Sequence, residues 1–114
     1  MSESCLFCRM SLGDVPVAKV YEDDEIYAIR DINPRAPVHI MIIPREHIPS
    51  AAEVTEAQAT LLAHMVTTAN EVAKTQGIDQ SGYRLTFNVG NDGGQTIYHL
   101  HLHLLGGREL GPEA

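Results

Sequence analysis

The sequence has no tryptophan, only two phenylalanines and four tyrosines, and only two cysteines among its 114 residues. Aliphatic side chains must therefore supply most of a hydrophobic core. No apolar run approaches the length that spans a bilayer, and the first residues lack the basic and apolar regions of a secretory signal. These absences argue against a membrane protein and against a secreted, disulfide-stabilised domain, so we expect a cytoplasmic location.

Basic residues are also scarce, with eight lysines and arginines against fifteen acidic residues and a formal net charge of -7. This balance disfavours a broad surface for DNA or RNA, and we expect no nucleic-acid partner. The length suits one domain over residues 1–114, in which residues 108–114 show no pattern and are predicted to be a mobile tail. In a reducing compartment, Cys5 and Cys8 fit free thiols or metal ligands better than a disulfide.

Glycine and proline divide the first half into short apolar runs, which is typical of strands. A short helix is predicted over residues 5–12, where Gly13 ends it. Strands are predicted over residues 19–22, 25–31 and 38–43. The last two are expected to pair across the loop of residues 33–37.

The second half contains one strongly helical segment. Thr55 and Gln58 have the spacing of a capping box, and apolar residues then recur at three- and four-residue steps up to Gly77. On this long helix, His64 is interpreted as a surface residue without a role. Strands are predicted over 83–89 and 98–105, joined by the glycine-bearing loop 90–94. The order of elements predicts an α+β domain: an antiparallel sheet of about five strands, one long helix and a short N-terminal helix.

Histidine alternates strictly with leucine over residues 99–104. In a strand this alternation places His99, His101 and His103 on one face and three leucines on the other, where they can pack under the long helix. Imidazole is both a common metal ligand and an acid, base or nucleophile near neutral pH, so two kinds of site are open. Solvated histidines on an exposed strand are the third interpretation, which the glycine-rich, anion-suited loop just upstream disfavours.

Several motifs together resemble the histidine-triad (HIT) hydrolases, most closely their Hint-like branch of purine nucleoside phosphoramidases. The resemblance covers nearly the whole chain. It is carried by residues 5–8, 31–34, 36–39, 93–96, 99–105 and 105–108. It implies a HIT-like fold and hydrolysis at the alpha phosphorus of nucleoside monophosphate conjugates, such as AMP or GMP phosphoramidates.

The resemblance also implies roles for the four histidines of the motif. His101 attacks phosphorus and forms a covalent nucleotidyl-histidine, which water then hydrolyses; two smaller steps replace one large barrier. His103 contacts the phosphate, His39 orients the triad, and His99 completes the catalytic set. No cofactor is needed for this chemistry.

Two neutral donors are expected beside the phosphate: Asn88, and Thr96 at a position where the family usually has serine. No arginine or lysine clamp is evident, so imidazolium, loop N–H groups and Asn88 would meet the developing charge. Asp31 matches the position that binds ribose hydroxyls, which suits a carboxylate because it accepts two hydrogen bonds. The remaining predicted nucleotide contacts are Leu6, Phe7, Met10, Ile29, Ile32, Gly94 and Gln95.

Cys5-x-x-Cys8 has the spacing of half a tetrahedral zinc site, and the chain has no further cysteine. His47 and His99 are the candidates for the other half. The resemblance implies that Cys5, Cys8, His47 and His99 hold a structural zinc. The alternative is two thiols and a loop histidine without metal, with His99 bracing its neighbours.

The resemblance further implies a homodimer through the long helix and a sheet edge, and apolar residues such as Leu62, Val66 and Ala73 on more than one side of this helix agree with it. Two other functions stay open. One is a metal-dependent hydrolase whose triad histidines bind the ion. The other is a nucleotide-binding module without turnover.

Overall fold

A single antiparallel sheet organises the computed structural model, which describes residues 4–113. Within these residues the sheet has five strands in the order β1-β2-β3-β5-β4. The elements are α1 (Leu6–Leu12), β1 (Lys19–Glu22), β2 (Ile26–Arg30), β3 (Val38–Pro44), α2 (Ala59–Thr75), β4 (Tyr83–Thr86) and β5 (Leu102–Gly106), with short 3-10 helices at Ala51–Glu53 and Glu56–Gln58. The predicted α+β class, with one long and one short helix, is confirmed.

The long helix α2 covers one face of the sheet. Leucines 100, 102 and 104 are buried on this face, together with isoleucines of β2 and β3. Met65, Ala69 and Val72 of α2 pack against them. The leucines of the alternating segment therefore lie under the long helix, as the sequence predicts.

The short helix α1 packs at the opposite face, over a smaller apolar cluster. Phe7 packs here with Tyr27, Ile29, Met41 and Ile43. The hydroxyl of Tyr27 donates to the carbonyl oxygen of Phe7 at 2.6 Å, which ties the helix to β2. The imidazoles of the triad lie on this side of the sheet, since Phe7 contacts two of their rings.

Both ends of the predicted long helix carry the expected signals. The capping box of Thr55 and Gln58 is present, but it caps the 3-10 helix Glu56–Gln58. The α-helix α2 begins directly after this turn, at Ala59. The helix ends at Thr75, and Gly77 follows with a φ of 74°, in the left-handed region that glycine tolerates best. No helix in the described part of the chain is long and apolar enough to cross a membrane.

Three interpretations of side chains on α2 need correction. His64 is half-buried and its Nε2 lies 2.7 Å from Oδ2 of Asp23, so it has a structural partner rather than no role. Ala73 is fully buried in the core and Leu62 packs against that core, so neither forms a second apolar side. Val66, with 37% of its surface exposed, does face away from the sheet.

The last two strands are shorter than predicted. β4 ends at Thr86 rather than residue 89, and β5 begins at Leu102 rather than residue 98. The reason is that the chain before Leu102 bonds outside the sheet: the N–H of Leu100 donates to the carbonyl oxygen of Ile48 at 2.6 Å. Pairing with β3 starts only where Leu102 lies opposite Ile42.

Residues 108–113 lie against the end of the sheet. Arg84 Nη2 of β4 donates to the carbonyl oxygen of Gly111 at 2.5 Å. Arg108 Nη2 donates to the carbonyl oxygen of Arg35 at 2.8 Å. These two bonds bring the segment beside the triad.

Candidate active site

A cavity of about 570 Å³ lies beside the triad, between α1 and the ends of β2 and β5. A volume of this order suits a small organic ligand. We call it the first cavity. Ten of the predicted nucleotide contacts line it: Leu6, Phe7, Met10, Ile29, Asp31, Ile32, Gly94, Thr96, His101 and His103.

The ring of His101 is held so that one nitrogen faces this cavity. Its Nδ1 donates a hydrogen bond to the main-chain carbonyl oxygen of His99 at 2.8 Å. A neutral imidazole has one N–H, so Nε2 carries the lone pair. Within residues 4–113, every side-chain nitrogen or oxygen that is fully buried has a hydrogen-bond partner. Nε2 of His101 has no partner there, so it is not fully buried, and its lone pair is open to the cavity.

His39 and His103 form a hydrogen-bonded pair with an inferable proton arrangement. The main-chain N–H of Arg35 donates to Nδ1 of His39 at 3.2 Å, so this nitrogen is an acceptor. The proton of His39 is therefore on Nε2, which lies 2.9 Å from Nδ1 of His103. His103 accepts there and keeps its own proton on Nε2, where it can be donated to a phosphate oxygen.

Burial keeps the imidazoles of the site neutral at physiological pH. Burial lowers the pKa of His103 to about 4, and the neighbouring imidazoles of His101 and His39 add to this effect. Burial also lowers the pKa of His101, although the bond to the His99 carbonyl and the charge of Asp31 act to raise it. The pKa of His39 is lowered for the same first reason, with Asp31 opposing. A neutral ring, unlike an imidazolium, has the lone pair that nucleophilic attack requires.

Asp31 follows β2 and lines the first cavity beside the histidines. One carboxylate oxygen, Oδ1, accepts from the main-chain N–H of Asn33 at 2.8 Å, which fixes the turn. The other, Oδ2, lies 3.5 Å from Nε2 of His39. Both oxygens retain lone pairs that can accept from hydroxyl groups of a ligand.

The glycine loop between β4 and β5 is held mostly by its own bonds. The side-chain oxygen of Gln95 accepts from the N–H of Gly90 at 2.9 Å, and its amide nitrogen donates to the carbonyl oxygens of Pro49 and Ile97. The N–H groups of Gly94 and Gln95 bond to carbonyls of the loop as well. Gln95 thus braces the loop and does not line the first cavity.

The two predicted neutral donors occupy different places. Thr96 is exposed at the rim of the first cavity. Asn88 lines a second cavity, and its Nδ2 donates to the carbonyl oxygen of Gly93 at 2.8 Å. A side chain at Gly93 would meet the carbonyl oxygen of Val89 at 2.3 Å, so only glycine permits this tight turn.

The second cavity, of about 340 Å³, lies on the other side of His103. Its basic lining residues are Arg35, Arg84 and Arg108. Arg35 and His103 line both cavities, so the two meet at these side chains. The sequence shows no obvious arginine or lysine clamp, but in the structure the loop before β3 brings Arg35 to the wall that His103 lines in both cavities.

Cys5, Cys8, His47 and His99 come together behind the triad and could hold a metal. Nδ1 of His99 lies 3.2 Å from Sγ of Cys5, 3.5 Å from Sγ of Cys8 and 3.1 Å from Nδ1 of His47. A tetrahedral zinc with ordinary bond lengths separates nitrogen and sulfur ligands by about 3.5 Å and two nitrogens by about 3.3 Å. The four side chains fit such an ion.

His99 is already oriented for a ligand role. Its Nε2 lies 2.7 Å from the carbonyl oxygen of Pro44, which must accept the ring proton and leaves the lone pair on Nδ1. Burial lowers the pKa of His99 to about 4, so the ring is neutral, as metal binding requires. The ring lines neither cavity. Its main-chain carbonyl, in contrast, accepts the hydrogen bond from His101.

Three alternating histidines do not converge on one ion. The ring of His99 faces the cysteines, and His101 donates to a carbonyl. A second group that could hold a metal among the described residues is Asp31, His39 and His103, and two of its members are hydrogen-bonded to each other.

Sequence reasoning missed several residues of the two cavities. Met41 lines the first cavity, and its signal was available: in β3, residues 39, 41 and 43 alternate with core residues 40 and 42. Arg84 and Thr86 were also missed, although they line the second cavity at alternate positions of the chain with the predicted Asn88. Arg108 carried no such signal, since its place depends on the path of the last residues.

Comparison with known proteins agrees with this site. Residues 4–111 match the family model described as "Scavenger mRNA decapping enzyme C-term binding". A purine nucleoside phosphoramidase of Escherichia coli is 45% identical over 98% of this chain and 94% of that protein. Together with the fold and the triad, these matches show that the chain belongs to the histidine-triad family, in its purine nucleoside phosphoramidase-like branch.

Solved structures lead to the same family. A HIT family hydrolase from Clostridium thermocellum superposes with a TM-score of 0.94 at 47% identity, covering 98% of this chain and 97% of that one. One from Legionella pneumophila gives 0.93 at 46% identity, covering 95% and 96%. The chain is thus an enzyme of the HIT hydrolase type, as the sequence predicts.

Proposed function

We propose that this enzyme hydrolyses purine nucleoside 5'-phosphoramidates and related conjugates at the alpha phosphorus, through a nucleotidyl-histidine on His101. The observation that carries the proposal is the bond from His101 Nδ1 to the His99 carbonyl, because it leaves the Nε2 lone pair facing the first cavity. The homology to a purine nucleoside phosphoramidase supports the substrate class.

The first cavity suits the nucleoside half of such a substrate. Leu6, Phe7, Met10, Ile29 and Ile32 offer an apolar slot for a purine, adenine or guanine. The carboxylate of Asp31 stands between this slot and the triad, where it accepts hydrogen bonds from ribose hydroxyls. This order supports a position for the alpha phosphate at His101 and His103.

The chemistry divides into two balanced displacements. In the first, Nε2 of His101 attacks phosphorus and the bond to the leaving nitrogen breaks. That nitrogen takes up a proton from the hydroxyl of Thr96, and water at the exposed rim returns a proton to this hydroxyl. Water then attacks phosphorus, the bond to His101 breaks, and its electron pair returns to Nε2 while the proton leaves with the product or solvent. Nε2–H of His103, fixed by His39, donates to a phosphate oxygen in both steps. Gly94, Gln95 and Asn88 complete the proposed binding set, Gln95 by bracing the loop.

We propose a structural zinc held by Cys5, Cys8, His47 and His99. Bound there, it would join α1 to the segment that carries the triad and supply no chemistry to the reaction. The N–H of Cys8 lies 3.4 Å from Sγ of Cys5, an arrangement that stabilises the negative charge of a metal-binding thiolate. We also propose a cytoplasmic enzyme and a homodimer, in which the exposed Val66 of α2 meets its counterpart.

The experiment is rapid-quench mass spectrometry during turnover of adenosine 5'-phosphoramidate, at neutral pH because phosphohistidine is labile in acid. An added AMP is expected on the peptide that holds His101, and a His101→Ala variant serves as the control. Substrate consumption without any adduct contradicts the covalent mechanism and favours direct attack by metal-bound water. No consumption at all contradicts the hydrolase and favours a nucleotide-binding module.

A further inference from the structure

We propose that the second cavity binds an oxyanion carried by the leaving group of the substrate, a carboxylate or a phosphate. The proposal rests on the proposed function, and it narrows the substrate class from any conjugate to those with an anionic leaving group. Three observations carry it: the position of the cavity, its charge and the state of its arginines.

The position follows from shared side chains. His103 and Arg35 line both cavities. A phosphate bonded by His103 therefore lies where the cavities meet, with the nucleoside directed into the first. The second cavity is then open to the other group on phosphorus, which is the leaving group.

The charge is unusual for this chain. The protein carries eight basic and fifteen acidic residues, yet three of the eight basic residues line this one cavity. Among residues 4–113, the single carboxylate in its lining is that of Glu113, which is exposed. Three guanidinium groups against one carboxylate make this a positive cavity on a negative protein, which attracts small anions.

None of the three arginines is neutralised by a carboxylate within residues 4–113. Arg84 and Arg108 donate only to main-chain carbonyl oxygens, and those bonds use some of their five N–H groups. The guanidinium of Arg35 has no hydrogen bond or ion pair in the described part of the chain. Guanidinium groups with unused donors suit the two-pronged recognition of carboxylate and phosphate.

The rest of the lining indicates what joins the oxyanion to phosphorus. Leu105, Leu110 and Pro112 add apolar surface to the cavity, and Thr86 and Asn88 add neutral polar groups. A short aliphatic spacer fits this mixture. The leaving group is thus expected to resemble an amino acid or another small amine with a negative end.

The kinetic test uses two matched substrates: the adenosine 5'-phosphoramidates of β-alanine and of β-alaninamide, which differ in one charge. For the wild type, kcat/KM is expected to be about fivefold higher for the acid, a modest ratio because the arginines are partly solvated. Arg35→Gln and Arg84→Gln should each bring the ratio towards one, and 1 M NaCl should do so in the wild type. Arg9→Gln, an exposed charge outside both cavities, should keep the ratio. Among residues 4–113, Arg35→Gln removes no hydrogen bond, so its result does not depend on altered folding.

A binding test needs no turnover and examines the phosphate. Calorimetry should show that the non-cleavable adenosine 5'-(α,β-methylene)diphosphate binds the wild type more tightly than AMP does, and that Arg35→Gln removes the difference. An acid-to-amide ratio at or below one, together with equal binding of the two nucleotides, overturns the proposal. If only the kinetic test shows a preference for the charged ligand, the cavity is assigned to carboxylates alone; if only the binding test does, it is assigned to phosphates alone. Failure of the wild type to cleave either amidate contradicts the proposed function instead, and the nucleotide pair then decides the second cavity by itself.

Discussion

Nε2 of His39 lies 2.9 Å from Nδ1 of His103, while Nδ1 of His39 accepts the main-chain N–H of Arg35 at 3.2 Å. This chain of bonds sets the proton of His103 on the nitrogen that is free to meet a phosphate. His39 is buried and lines neither cavity, yet it thereby determines which nitrogen of His103 is the donor.

His39→Leu is therefore expected to lower kcat by about tenfold to a hundredfold, with a smaller effect on KM, because His103 loses the partner that fixes its proton. His39→Gln, whose amide can still donate, should recover much of the loss. Steady-state kinetics of both variants beside their melting temperatures checks this. Equal losses in the two variants, in proportion to their loss of stability, would mean that His39 only fills space.

His101→Ala is expected to reduce kcat by about a thousandfold or more, since no other side chain offers a lone pair at the same place. Binding of AMP should change little, because the apolar slot and Asp31 are untouched. Single-turnover kinetics and calorimetry on the same preparation measure the two effects. Retained turnover in this variant is incompatible with His101 as the nucleophile.

Asp31→Ala should weaken AMP binding by about tenfold or more, because a hydrogen-bonded carboxylate contributes more than a neutral acceptor. The effect on kcat should be smaller. Comparison with 2'-deoxy and 3'-deoxy AMP identifies the cause: the variant should no longer discriminate them from AMP. Continued discrimination by Asp31→Ala would remove the ribose assignment.

Cys8→Ser is expected to lose metal, because a hydroxyl is a poor zinc ligand where a thiolate is required. Zinc should be present at about one ion per chain in the wild type purified without chelator. His64→Ala, on the long helix, is the matched control and should keep its metal. Elemental analysis measures both, independently of activity, and a metal-free wild type would refute the zinc site.

Asp23 provides a test of stability. Burial alone would raise the pKa of its carboxyl, but bonds from Tyr21, the N–H groups of residues 25 and 26, and His64 lower this pKa well below the usual range. Its stabilising effect is therefore present above the unfolded-state pKa of about 3.9 and is lost as pH falls through the lower native value.

Asp23→Asn should accordingly lower the free energy of unfolding by about 1–3 kcal/mol at pH 7, and by less towards pH 3. The exposed Asp24→Asn is the control and should have little effect. Urea denaturation of the three proteins across this pH range measures the difference. A deficit that is the same at pH 3 as at pH 7 would show that the charge of Asp23 is not what stabilises the turn.

The sequence predicts the elements with strong periodicity well and their ends less well. Alternation places the leucines of residues 99–104 in the core, and the capping box and Gly77 bracket the long helix. The predicted start of β5, at residue 98, was wrong because the N–H of Leu100 bonds to the carbonyl oxygen of Ile48. No local pattern in the sequence reveals this bond to a distant loop.

The lining of the first cavity could be predicted from sequence motifs, whereas the arginines of the second cavity could not. Its residues lie in recognisable motifs, and ten of those proposed as nucleotide contacts line it together. Arg35, Arg84 and Arg108 come from a loop, a strand and the last segment of the chain. Only tertiary structure brings such separate charges into one wall, so spacing in the sequence carries no trace of it.

The bond that orients His101 ends on a main-chain oxygen and not on a side chain. Every amino acid at position 99 would present the same carbonyl, so a point mutation there can remove the imidazole that faces Cys5 and Cys8 without removing the acceptor. Selection can therefore change or discard the Cys–His cluster while the choice of reactive nitrogen on His101 is inherited from the backbone. A mutation at position 99 therefore leaves the orientation of His101, the nucleophile that we propose, unchanged.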